Sequence, residues 1–195
     1  MDSHKRAKIL KAAIKIFARD GFFNAKVEEI AKEAGVATGT TYLYFDNKDD
    51  ILISIFEEEM IPIIETMRNA ISKKATAREK IIEIITCHLK MMQEKADMGQ
   101  LLELELRQSS KFIHGYQGTR FKEYLDIMGE TLAVGQESGE FRNDIHPVIF
   151  KQILFGALDQ ISMNWSLSKS RKIDLHLSAD QIAAVLLDGI EKKGK

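Results

Sequence analysis

The chain holds 195 residues, 45% hydrophobic and 29% charged, with a formal net charge of −1. That balance belongs to a folded globular protein and excludes a disordered or collagen-like chain. No run approaches roughly 18 uncharged apolar residues, which argues against a membrane helix, and Met1–Lys11 is too polar for a secretion signal. The lone Cys87 cannot form an internal disulfide, so a reducing cytoplasm is the expected setting. Charge is unevenly spread: the segment through Lys26 carries +5 and the remainder −6. A basic end on an acidic body suggests that the N-terminal segment meets a polyanion.

In chain order, Ile9, Leu10, Ala13, Ile14 and Phe17 recur at helical spacing and Gly21 supplies a stop. Val27, Ile30, Ala31 and Ala34 form one face of a second helix that ends at Gly35. Thr38 is a good N-cap for a third, running through Tyr44, so Ala34–Thr38 reads as a tight turn between two short helices. A long helix starts near Asn47 and carries Leu52, Ile55, Phe56, Met60, Ile63, Ile64, Met67 and Ile71, with Pro62 expected to kink it. Thr76 caps a helix with Ile81, Ile82, Ile85, Leu89 and Met92 on its apolar face. A shorter helix is expected over Leu101–Arg107, and another with the stripe Phe121, Leu125, Met128 and Leu132 stops near Gly139. Asp144–Pro147 starts the next, a loop covers Ser166–Lys172, and Ser178 caps the last helix. No strand pattern or repeat occurs, so an all-α fold of about nine helices is expected. Its expected division is residues 1–46 as a three-helix domain, for which the residues below point to DNA binding, and 47–195 as a larger helical domain, expected to bind a ligand and dimerise.

A helix-turn-helix needs a small residue in the first of its two helices, a glycine at the turn and an apolar residue just after it. Ala31, Gly35 and Val36 supply these. The following helix would lie in the major groove and present Thr38, Gly39, Thr40, Thr41 and Tyr42. Gly39 costs up to about 1 kcal/mol against alanine in a helix, which close approach to a sugar-phosphate backbone would explain. Tyr42 and Tyr44 can each donate a hydrogen bond to a phosphate. Lys48 places a positive charge against the dipole of the next helix, which a nearby phosphate would justify.

The stretch DGFFNAKVEEIAKEAGVATGTTYLYFDNKDDIL resembles the DNA-binding signature of the TetR family of transcription regulators. The matching positions are Gly21, Phe22, Val27, Ile30, Ala31, Ala34, Gly35, Val36, Gly39, Tyr42, Tyr44, Phe45, Lys48 and Leu52. Where many members carry Ser or Thr before the second helix, this chain has Ala25 and Lys26; Lys26 can still reach a phosphate, but the cap is weakened. The segments Gln100–Ser110 and Gln152–Trp165 further resemble fatty-acid-degradation regulators of the FadR type within that family. The resemblance implies a repressor, released from double-stranded operator DNA by a long-chain acyl-CoA effector, with no other cofactor.

An acyl chain needs an apolar channel between helices, and Leu101, Leu104, Tyr124, Met128, Phe155 and Leu158 are candidates to line one. Arg107 falls in an otherwise apolar stretch and needs a partner, which could be Glu103, Asp159 or the ligand. Lys111, Arg120, Lys151, Lys169, Arg171 and Lys172 are further candidates for the CoA phosphates. A short palindromic site calls for a homodimer, and Phe150, Leu158, Ile161, Trp165, Ile182 and Leu186 are the expected interface. The five histidines show no metal-ligand spacing and no phosphate-binding glycine loop occurs, which argues against an enzyme. His88 is either a ligand contact or a satisfied core histidine. Carboxylates at Glu103, Glu105 and Asp159 keep open a sensor of apolar cations, the multidrug type of the same family.

Overall fold

The computed structural model describes residues 2–94, 119–168 and 173–191. Eight helices occur among them: α1 Ser3–Asp20, α2 Val27–Ala34, α3 Thr38–Tyr44, α4 Lys48–Ser72, α5 Ala77–Glu94, α6 Thr119–Glu137, α7 Pro147–Leu167 and α8 Leu175–Ile190. No strand occurs among the described residues; Phe141 and Glu191 form an isolated antiparallel bridge. The helix expected over Leu101–Arg107 lies outside the described residues.

The chain divides into a first unit over Met1–Glu59 and a second over Met60–Glu94 and Gly118–Lys195. Ile51, Leu52, Ile55 and Phe56, in the first turns of α4, are each at most 3% exposed, and that stretch is grouped with the N-terminal helices. Helix α4 runs unbroken through Pro62 into the second unit.

In the first unit α1 packs on α2 and α3. Ile9, Leu10, Ala13, Ile16 and Phe17 of α1 are buried with Ile30 and Ala31 of α2, and the Phe17 and Phe22 rings meet edge to face at 5.4 Å. Gly21 and Gly35 stop their helices at φ 76° and 69°, a region that favours glycine. At the second stop the Gly35 N–H donates to Lys32 O and the Val36 N–H to Ala31 O, which closes the turn of the helix-turn-helix.

In the second unit α5 lies against α6, α7 and α8, with Ile81, Ile84, Ile85, Leu89 and Met92 turned inward. Its start is fixed twice. Thr76 Oγ1 accepts from Glu79 N at 3.1 Å while the Glu79 carboxylate accepts from Thr76 N and Ala75 N, a reciprocal cap. Glu140 accepts from the N–H groups of Ala77 and Arg78, and the first of these bonds holds its carboxyl below the usual range. A β-carbon at Gly135 would overlap the Phe141 ring, so that ring is seated on bare α6 backbone.

Two helix starts differ by a residue or more from the sequence reading. Ala37, not Thr38, is the N-cap of α3, and Thr38 is its first helical residue. Helix α8 begins three residues before Ser178, because the Asp174 carboxylate accepts from His176 N and Leu177 N and the earlier start buries Leu175. Ser178 instead donates its hydroxyl to Asp174 O at 2.7 Å.

Candidate nucleic-acid interface and sensing core

Helix α3 has seven residues, so its orientation is set by what it packs on. Its C-terminal end is braced at several points. Phe45 is 2% exposed, with the Arg6 guanidinium over its ring at 5.3 Å, and Arg6 is ion-paired to Glu58. The Tyr44 hydroxyl accepts from Asp2 N at 3.2 Å, and Asp2 in turn caps α1. The outward arc of the helix holds Gly39, Tyr42 at 50% exposure and Leu43 at 69%, with Thr38, Thr40 and Tyr44 half-buried at its margins.

One expected base contact is buried, and the side chain of one expected phosphate contact is held by loop carbonyls. Thr41 is completely buried, so it cannot reach a base, and its hydroxyl has no hydrogen-bond partner among the described residues. Lys48 is turned into its own domain: Nζ donates to Phe23 O at 3.0 Å and Ala25 O at 3.1 Å and lies 4.6 Å from the centre of the Phe22 ring. Both loop carbonyls accept from it, and the clamp fixes the turn that leads into α2. Lys26 is exposed at the N-cap of α2 and makes no side-chain cap bond, as the missing Ser or Thr predicts. Sequence reading passed over Leu43; its spacing of four from Gly39 was the available signal.

The second unit carries a polar cluster in an apolar interior. His88 Nδ1 lies 2.5 Å from the Tyr124 hydroxyl and Nε2 lies 3.3 Å from Ser162 Oγ, with the Phe155 ring edge-on to the imidazole. His88 is 5% exposed, Tyr124 2% and Ser162 fully buried. Burial lowers the imidazole to about 4 and pushes the Tyr124 phenol up. A neutral imidazole has one donor and one acceptor nitrogen, and both partners are hydroxyls, so either tautomer satisfies the cluster. His88 is therefore a satisfied core histidine, with Ser162 the partner that the sequence did not single out. Cys87 beside it is half-buried, and burial raises its thiol to about 11.

Of the expected channel residues, Tyr124, Met128 and Leu158 are buried and Phe155 is half-buried, stacked edge-on with Phe121 at 5.2 Å. Asp159 is half-buried and has an interaction partner. Leu101, Leu104, Arg107, Lys111, Lys169, Arg171 and Lys172 lie outside the described residues. Lys151 is tied to Asp126 at 2.6 Å and Arg120 to Glu123 at 2.9 Å. The expected dimer surface needs correction. Phe150, Leu158 and Trp165 are at most 5% exposed within a single chain, because they face the helices α7 packs on. Ile161, Ile182 and Leu186 are half-buried. The exposed stripe of α7 is instead Ile149, Ile153, Gly156 and Gln160, and that of α8 includes Leu177 and Val185. Among the described residues no group of side chains is arranged to hold a metal ion, and no helix is long and apolar enough to cross a membrane.

A braced helix-turn-helix joined to a larger helical body defines a DNA-binding regulator of the one-component kind. Residues 9–55 match the family of bacterial regulatory proteins named for TetR, and residues 56–189 match the C-terminal region of YsiA-like proteins. The chain belongs to the TetR family. It is 36% identical over 189 residues to the fatty acid metabolism regulator protein of Bacillus subtilis, covering 97% of each chain. Its fold matches the crystal structure of the transcriptional regulator FadR from Bacillus subtilis in complex with stearoyl-CoA, with a TM-score of 0.86 and coverage of 95% of this chain and 99% of the other. It also matches the fatty acid degradation regulator FadR from Bacillus halodurans at 34% identity, with a TM-score of 0.87 and 97% of each chain covered.

Two outcomes test this account of the interior. Replacing Thr41 by Val removes a buried hydroxyl that costs about 1–3 kcal/mol when unpaired. The melting temperature should rise by about 2–12 °C with operator affinity unchanged. Lost binding at an unchanged melting temperature would return Thr41 to the interface. The second concerns pH. The unfolded chain protonates His88 near the ordinary value and the folded chain only near 4. Stability carried by the neutral ring is therefore present above about pH 6.5 and falls away as pH drops toward 4, by roughly 3 kcal/mol in all. His88→Gln keeps a donor and an acceptor without titrating, so its melting temperature should fall less steeply across that window. Parallel curves for the two proteins would assign the dependence to other groups.

Proposed function

We propose that the protein is a repressor that binds palindromic operator DNA as a homodimer, is released by long-chain acyl-CoA and controls fatty acid degradation genes in the cytoplasm. The observation that carries the reading is likeness along the whole length, reader and body together, to a regulator that holds stearoyl-CoA in its crystal. The residue chemistry is compatible. Tyr124, Met128, Phe155 and Leu158 give the second unit an apolar and adaptable interior for an acyl chain, with Leu101 and Leu104 as further lining. Arg107 is assigned to the phosphates of the CoA end. We take Met1–Glu59 as the reader and the rest as the sensing and dimerising body.

Two recognition helices enter successive major grooves only when they stand about 34–36 Å apart. Helix α4 is continuous from the reader into the sensing unit and is thus the element through which ligand occupancy biases that spacing. The ligand and the DNA then oppose each other by the same factor, whichever binds first. In gel-shift titrations stearoyl-CoA should weaken operator binding by about 5- to 150-fold, the usual span of such coupling, and free CoA should not. Arg107→Ala should bind operator normally and respond less. Release by free CoA would sink the acyl-chain reading, and a full response in the variant would remove Arg107 from the site.

The exposed stripe on α7 and α8 is the proposed subunit interface. A β-carbon on Gly156 would meet nothing within 4 Å in the lone chain, so that glycine leaves room for a second backbone. Ile153→Glu should convert the dimer to a monomer in light scattering, whereas an unchanged mass would place the interface elsewhere.

A further inference from the structure

Helix α3 leaves one side bare. Gly39, Tyr42 and Leu43 are spaced at three and four residues and so share a face, while Thr41 is directed into the domain core. Gly39 has no internal reason to be glycine. Its φ is not in the left-handed region, and a β-carbon built on it would meet nothing within 4 Å. Alanine there would favour the helix by up to about 1 kcal/mol. Among the described residues, nothing requires a bare α-carbon there.

Leu43 stands beside that notch, 69% exposed. Its side chain has neither donor nor acceptor, so it cannot take part in hydrogen-bonded readout or hold a phosphate. On a face that enters the major groove it needs an apolar partner, and the floor of that groove offers one, the 5-methyl group of thymine. We propose that Leu43 reads a thymine methyl in the operator, with Gly39 the gap that lets the base pair come close enough to be touched. Tyr42, on the flank of the same face, supplies the polar contacts that Leu43 cannot. This rests on α3 being the DNA-reading helix and adds a base identity to it.

The test uses the intact protein and an operator that it selects from a random-sequence duplex pool. Each thymine in that operator is replaced in turn by deoxyuridine, which differs only in lacking the methyl group. At one thymine per half-site the replacement should weaken wild-type binding by about fourfold, the worth of one buried methyl. Leu43→Ala should bind the thymine duplex about that much more weakly and be indifferent to deoxyuridine at that position alone. Leu43→Met should keep the sensitivity. Because Leu43 is exposed, the alanine variant should melt like the wild type. Undiminished sensitivity of the alanine variant at every position, or a wild type indifferent to every replacement, overturns the proposal. Failure to select any sequence overturns the DNA-reading role itself, and is told apart by the absence of an operator to substitute.

Discussion

A helix of seven residues has too few backbone hydrogen bonds to persist in water, because helix nucleation is unfavourable and propagation has no length over which to recover it. Yet the surface proposed to meet DNA is such a helix. The N-terminal unit is arranged around that constraint. Phe45 anchors the end of α3, the Arg6 guanidinium covers the Phe45 ring, and the Tyr44 hydroxyl takes the N–H that begins the chain's first helix. Lys48 fixes the loop in front of α2 by holding two of its carbonyls. Polar and charged side chains around α3 thus help to hold that face still. Preorganisation of this kind spares the complex the entropy of ordering the helix when it binds.

The sensing unit solves a different problem. A body proposed to admit a long apolar ligand is built from residues that would also fill an ordinary core, and apolar packing alone specifies position loosely. The His88, Tyr124 and Ser162 cluster links α5, α6 and α7 by directional bonds inside that interior. Every misaligned arrangement of those helices would strand a buried polar group, so the cluster penalises alternatives that hydrophobic contacts would tolerate.

Much of this was legible in the sequence. Gly21, Gly35, Thr76 and Pro147 mark helix ends by local chemistry, and the glycine turn with Ala31 and Val36 marks the reader. Spacing alone did not tell inside from outside where a helix is apolar on more than one side. In α7 both the stripe through Phe150, Leu154, Leu158 and Trp165 and the stripe through Ile149 and Ile153 are hydrophobic, and the larger residues turn out to face inward. The same ambiguity misplaced Thr41, since a threonine suits a groove and a core equally by size. The purpose of Lys48 depended on carbonyls 23 and 25 residues upstream, which no local pattern reports. For α8, two capping residues stood a turn apart and the stronger acceptor, Asp174, governed.

Cys87 shows what the sensing unit leaves out. With its thiol raised to about 11, almost none of it is thiolate at neutral pH, and the thiolate is the species that peroxides, electrophiles and soft metals attack. The only sulfhydryl in the chain is chemically quiet. Oxidative stress therefore leaves no covalent mark at this position, and nothing there has to be reduced before the regulator can answer again. At this residue the protein keeps no record of earlier oxidative exposure.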